Sequence, residues 1–123
     1  MCTCLTLQIG QFGCGSGGVG RFVDVIRHIV LFNWKPDTPA GHSEATATAL
    51  ATLPGLIPQI REYQFGANLG INPGTYDFVV TATFDSVDDY VVYRDHPDHK
   101  ALIAEYTLPF IDTRASIQFE IPG

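Results

Sequence analysis

A β-α-β-β-α-β order, the ferredoxin-like plait of the α+β class, is what this sequence predicts, and three observations predict it. Four stretches alternate apolar and polar residues with the period of two that a half-buried strand requires. Two helical stretches, each opened by capping signals, follow the first and third of them. The connections are rich in Gly, Pro, Asn and Asp, the residues that turn a chain. Elements in this order fold as four antiparallel strands with the helices on one face.

Val23 to Trp34 reads as the first strand, with His28, Val30, Phe32 and Trp34 on one face and Ile29, Leu31 and Asn33 on the other. Thr38 and Pro39 are suited to be the cap and first position of a helix that runs to about Leu53. Ala45, Ala49 and Leu53, with Thr46 and Leu50 beside them, form its expected apolar face. Pro54 and Pro58 bracket a short turn or distorted helix. The second strand is expected over Glu62 to Leu69, with Tyr63, Phe65 and Ala67 on one side. The third is expected over Tyr76 to Phe84, with Phe78, Val80, Ala82 and Phe84 on one side.

Ser86-Val87-Asp88-Asp89 resembles a capping box with Asp in place of Glu, and the helix it opens carries Tyr90 and Tyr93. Pro97 cannot continue that helix but fits the first position of a new one, which makes His96 a cap residue. Leu102, Ile103 and Tyr106 belong to this second helix, which Pro109 stops. Arg114 to Ile121 is the last strand, with Ala115, Ile117, Phe119 and Ile121 opposite Ser116, Gln118 and Glu120. The apolar face of each strand is expected to meet the helices. The mixed face, with Ile29, Leu31 and Val79, is too apolar to be left in water, so a second copy in a homodimer is expected to cover it.

A chain of 123 residues has the size of one domain with its own core. A net charge of −6, with only seven scattered Lys and Arg, argues against a nucleic-acid surface. No apolar run is long enough for a membrane span, and no membrane partner is expected. Residues 1–22 have the composition of a flexible Gly- and Cys-rich leader, and 23–123 that of the domain. Cys2, Cys4 and Cys14 all lie in the leader and form no disulfide framework, which suits a cytoplasmic protein. Gly15 to Gly20 is formally a G-x-G-x-x-G, but a strand rather than a helix is expected after it, so it is not read as a dinucleotide fingerprint.

The candidate chemistry lies in Tyr93 to Leu102. The break at Pro97 lets a phenol at the end of one helix and an imidazole on the next converge, so Tyr93 and His99 are the candidate catalytic pair. The imidazole would act as base on a methylene flanked by carbonyls, and the phenol would hold the resulting oxyanion without a metal. No cofactor is expected. His28, Val30, Phe32 and His96 are the candidate ligand-binding residues for a small molecule. The bland alternative packs Tyr93 in the core and leaves His99 to a local hydrogen bond. A three-histidine metal site from His28, His96 and His99 is a weaker reading, because a cap residue points outward.

Ile26-Arg27-His28-Ile29-Val30-Leu31-Phe32, Leu53-Pro54-Gly55, Phe65-Gly66-Ala67-Asn68-Leu69-Gly70, Tyr93 with His96-Pro97-Asp98-His99, and Ile117-Gln118-Phe119-Glu120 together resemble the stress-responsive A/B barrel (Dabb) family. The resemblance runs from about Val25 to Ile121. It implies a dimeric α+β barrel, two sheets closing face to face. A plant member of the family cyclises a linear polyketide thioester by aldol condensation. Its catalytic tyrosine and histidine resemble Tyr93 and His99, and a pocket histidine on its first strand resembles His28. That cyclase has aromatic residues on its first helix, whereas Ala45 to Leu53 carries none here. The opposing class is a non-catalytic stress or binding protein built on the same barrel. Asn33-Trp34 beside a histidine also resembles cofactor-free monooxygenases of similar fold, but Asn33 and His28 differ in strand parity. A cavity that holds both Tyr93 and His99 separates the first reading from the second.

Overall fold

The computed structural model describes residues 25–122. The leader, its cysteines, its glycine run and the predicted start of the first strand at Val23 lie outside the described residues. Four strands form one antiparallel sheet: β1 (Val25–Trp34), β2 (Glu62–Ala67), β3 (Phe78–Phe84) and β4 (Ile111–Ile121), in the spatial order β2-β3-β1-β4. Between β1 and β2 lie α1 (His42–Leu50) and the single turn α2 (Leu53–Leu56). Between β3 and β4 lie α3 (Val87–Asp95), α4 (Pro97–Leu102) and a π-helical turn, Ile103–Thr107. This is the ferredoxin-like α+β plait.

The core lies between one sheet face and the helices. Val30 and Phe32 of β1 meet Phe78, Val80 and Phe84 of β3 on the sheet side, and Leu50, Leu53, Ile57, Tyr93 and Leu102 close over them. The alternation of β1 is as expected: His28, Val30 and Phe32 are buried, while Ile29, Leu31 and Asn33 are only half-buried. Ser86 Oγ accepts the Asp89 backbone N–H at 3.1 Å, the predicted cap of α3. His96 Nδ1 accepts the Asp98 N–H at 3.1 Å, which caps α4 with Pro97 in its first turn.

Three expectations are corrected. The first helix begins at His42, not at Pro39, because Gly41 holds φ at +86°, a left-handed conformation that L side chains rarely adopt and that keeps the preceding residues out of the helix. Thr46, Leu50 and Leu53 are buried and Ala49 packs against the core as expected, but Ala45 is exposed and His42 takes its place on the buried face. The last strand begins at Ile111, three residues earlier than Arg114.

The third correction concerns which way β4 faces. His28 of β1 lies opposite Gln118, Val30 opposite Ser116 and Phe32 opposite Arg114, so the polar residues of β4 share the helix side of the sheet. Ile117 pairs with Ile29 and Ala115 with Leu31 on the other side. The apolar residues of β4 therefore extend the helix-free face, where Ile117 is 57% and Phe119 39% exposed. Strand β4 is an edge strand with little helix cover, so its helix side needs no apolar residues.

Phe84 is fully buried between the sheet and α3, in contact with the rings of Tyr90 and Tyr93. Phe84→Ala should cost about 3–5 kcal/mol of unfolding free energy, read as a fall in the urea midpoint with an unchanged slope.

Candidate functional site

The Pro97 break sets the geometry of the site. Tyr93 stands on the last turn of α3, and its carbonyl accepts the His96 N–H at 3.2 Å as that helix closes. Two residues after Pro97, His99 stands on the first turn of α4 and turns its ring back onto Tyr93, with 4.1 Å between ring centroids and 33° between planes. The His99 Nδ1 lies 3.1 Å from the Arg94 carbonyl oxygen. A carbonyl can only accept, so Nδ1 carries the proton and Nε2 of the neutral ring has a free lone pair. Burial lowers the pKa of His99 below the ordinary imidazole value; its backbone bond and Asp95 offset part of this, while His96 adds to it.

Tyr93 is 2% exposed, and its hydroxyl lies 2.9 Å from that of Tyr63 on β2. Burial is the main cause that drives both phenols upward, Tyr93 to about 12 and Tyr63 further, while the bond to Tyr63 pulls Tyr93 down. Either hydroxyl can donate in this bond; where Tyr63 donates, the O–H of Tyr93 is left for a third group.

His28 rises from β1 into the same space, 5.1 Å from the Tyr90 ring and 6.0 Å from the Tyr93 ring between centroids. Gln118 of β4 donates its amide N–H to His28 Nδ1 at 2.9 Å, which leaves the proton of the neutral ring on Nε2. Burial, then the charges of His99 and Arg114, lower its pKa to about 4. At neutral pH the two uncharged imidazoles are opposite tautomers, His28 a donor and His99 an acceptor.

These groups line one cavity of about 450 Å³. Val30, Phe32 and Val80 form its floor, and Thr46 and Leu50 of α1 one wall. The π-helical turn supplies another: Leu108 N–H reaches the Ile103 carbonyl at 2.9 Å, and the widened turn brings Ile103, Thr107 and Leu108 to the cavity. The cavity has both aromatic polar groups and apolar walls, the usual composition of a small-molecule site.

The stress responsive A/B barrel domain model matches residues 26–121 of this chain. The chain belongs to the Dabb family. Among similar solved structures, a dimeric ferredoxin-like protein of unknown function from Thermobifida fusca is 42% identical, with 80% of this chain and 92% of that one covered and a TM-score of 0.74. Another such dimeric protein, from Bacteroides fragilis, is 30% identical over 79% of this chain and 96% of its own, with a TM-score of 0.67. A hydroxynitrile lyase from Passiflora edulis, 19% identical over 80% of this chain and 94% of its own with a TM-score of 0.70, shares the fold.

On this Dabb domain, five of the six residues singled out from the sequence, His28, Val30, Phe32, Tyr93 and His99, line the cavity together. His96 does not: its Nδ1 is committed to the α4 cap and lies 3.8 Å from Asp98. Asn33 is also absent from the lining and donates to Thr113 on the helix-free side at 2.9 Å. The sheet does carry an irregularity at Asn33/Trp34, but the extra residue is Asp112 of β4, so the parity of β1 is unbroken. No group of three or more His, Cys, Asp and Glu among the described residues is arranged to hold a metal ion.

Tyr63 and Gln118 are the polar groups that sequence reasoning missed. Tyr63 had the right parity on its strand, but nothing local marks it as the partner of a residue 30 positions away. His42 was missed too. It lies edge-on to Trp34 at 4.8 Å and donates from Nε2 to the Tyr106 carbonyl at 2.7 Å, which ties α1 to the π-helical turn.

His28 has a testable pH signature. Its folded pKa is below its unfolded value of 6.5, so between these values the unfolded chain binds more protons and acid destabilises the fold. The contribution is fully present above about pH 6.5 and lost as pH falls towards 4, on the order of 2–3 kcal/mol. Urea unfolding of a His28→Gln variant should lack that part of the decline. An identical pH slope in the variant and the parent would show that His28 is not held neutral.

Proposed function

We propose that this Dabb domain binds a small carbonyl compound in the cavity and acts on it by acid/base catalysis of the aldol type, without a cofactor. The observation that carries this reading is that His99, its Nδ1 held by the Arg94 carbonyl, and Tyr93 line one cavity in ring contact, 4.1 Å between centroids. His99 Nε2 takes a proton from a carbon flanked by carbonyls. The electron pair moves to the carbonyl oxygen, which accepts hydrogen bonds from Tyr93 and from the Nε2–H of His28. The enolate carbon then attacks a second carbonyl of the same ligand, and the new alkoxide takes back the proton from the imidazolium. Each group starts in the protonation state its step requires.

The family supplies the fold and not the substrate, and the passion-fruit lyase carries only the point that this fold accommodates lyase chemistry. A non-catalytic binding barrel, the opposing reading, would use the same imidazole and phenol to hold a ligand by hydrogen bonds, and turnover separates the two. A reducing, cytoplasmic setting fits a chain with no cysteine beyond Cys14. The homodimer belongs to this reading as well. It is supported by the half-buried Ile29, Leu31 and Val79, continued by the exposed Ile117 and Phe119, and by the dimeric relative at 42% identity.

His99→Ala and Tyr93→Phe should each lower turnover of a poly-β-ketone thioester by about 10²–10⁴-fold, the range for removal of one acid/base group, without lowering the melting temperature much. The double variant should be little worse than either single one, because the two act as a unit, and His96→Ala should matter less. Turnover that survives both substitutions would remove the catalytic reading. Separately, Ile117→Lys should place an unpaired charge in the dimer contact and shift sedimentation towards the monomer. A parent protein that sediments as a monomer at micromolar concentration would remove the homodimer.

A further inference from the structure

Resting on the reading of the cavity as a carbonyl site, we infer that its ligand also carries a carboxylate, which Lys100 and Arg114 receive at the rim. The chain bears a net charge of −6, yet every charged side chain that lines the cavity is cationic: Arg94, Lys100 and Arg114, three of only seven Lys and Arg in the sequence. No Asp or Glu lines it. Arg94 is already neutralised by Asp95, with two bonds of 3.0 Å from its Nε and Nη2. Lys100 and Arg114 form no salt bridge among the described residues; Arg114 makes only a 3.4 Å contact to Ser116 Oγ.

The two arrive from different elements. Lys100 follows His99 directly on α4, so the residue that supplies the base also delivers its neighbour to the rim. Arg114 arrives because β4 turns its polar side to the helices, opposite Phe32 of the cavity floor. Its charge is near enough to His28 to contribute to the low pKa of that ring. Both side chains are exposed at the cavity opening, where neither is taken up by an acidic partner among the described residues. A ligand anion accounts for them, and the field of the two charges draws such a ligand to the opening.

The anion assigned is a carboxylate rather than a phosphate. The guanidinium pairs with carboxylate and phosphate alike, but the lining contains no glycine whose backbone amides could cradle the further oxygens of a phosphate. The ligand class is therefore an oxo acid: an apolar body, a carbonyl at Tyr93, His99 and His28, and an acid group at the rim.

Calorimetric titration of the full chain with 2-oxooctanoate, its methyl ester, octanoate and octyl phosphate tests this. The oxo acid should bind about tenfold more tightly than its ester at low salt, the worth of two partly exposed charge contacts. That advantage should vanish at high salt and in a Lys100→Gln, Arg114→Gln double variant, whose fold is verified by its thermal melt. Equal binding of acid and ester, or an advantage that survives the double variant, overturns the inference and leaves the carbonyl site standing. Octanoate as tight as 2-oxooctanoate supports the anion contact and removes the carbonyl reading instead. Octyl phosphate tighter than octanoate overturns the carboxylate, and no binding by any of the four overturns the proposal as a whole.

Discussion

Everything at the cavity depends on a missing hydrogen-bond donor. Pro97 has no N–H to continue α3, so the chain leaves the helix at His96, with ψ at 135°, and starts a new one in a different direction. An unbroken helix would set Tyr93 and His99 six residues apart, on different faces. The interruption brings their rings into contact. It also opens the Arg94 carbonyl to the His99 ring, and that bond decides which imidazole nitrogen holds the proton. Backbone geometry, ring contact and tautomer thus follow from one residue type at one position.

The same economy appears at the edge of the sheet. Strand β4 is one residue ladder with two faces, and the helices leave its inner face largely uncovered. Placing Gln118 and Arg114 inside and Ile117 and Phe119 outside lets one short sequence serve the cavity and the helix-free face together. Gln118 orients His28 from β4, while Tyr63 supports Tyr93 from the far edge strand β2. Groups that support the polar side chains of the cavity thus come from both edges of the sheet, and those side chains themselves from β1 and the helices.

Where the sequence was legible, the two faces of an element differ strongly in chemistry. Strand β3 sets Phe78, Val80, Ala82 and Phe84 against Val79, Thr81 and Thr83, β1 is marked by its apolar run Ile29 to Phe32, and the His96-Pro97 break announces itself. The first helix has little such contrast: its residues are mostly Ala and Thr, so the expected face held Thr46, Ala49 and Leu50 but included Ala45 and missed His42. For β4 the alternation was clear but its sense was not, because an edge strand may turn either side inward and only pairing with β1 decides. The partners of the site were not legible at all. His28 and Gln118 lie 90 positions apart, and a contact at that separation leaves no trace in local pattern.

The π-helical turn at Ile103–Thr107 contains one residue more than an α-helix would need over the same rise. Excising one would close the turn as an ordinary α-helix with its flanks nearly in place, and would withdraw the widened backbone from this wall of the cavity. The helix itself would lose little, since its backbone bonds would close in the ordinary register. At this wall the width of the cavity would then change with little cost to the helix. Relatives that differ by a one-residue gap at this turn should differ in the size of molecule they accept.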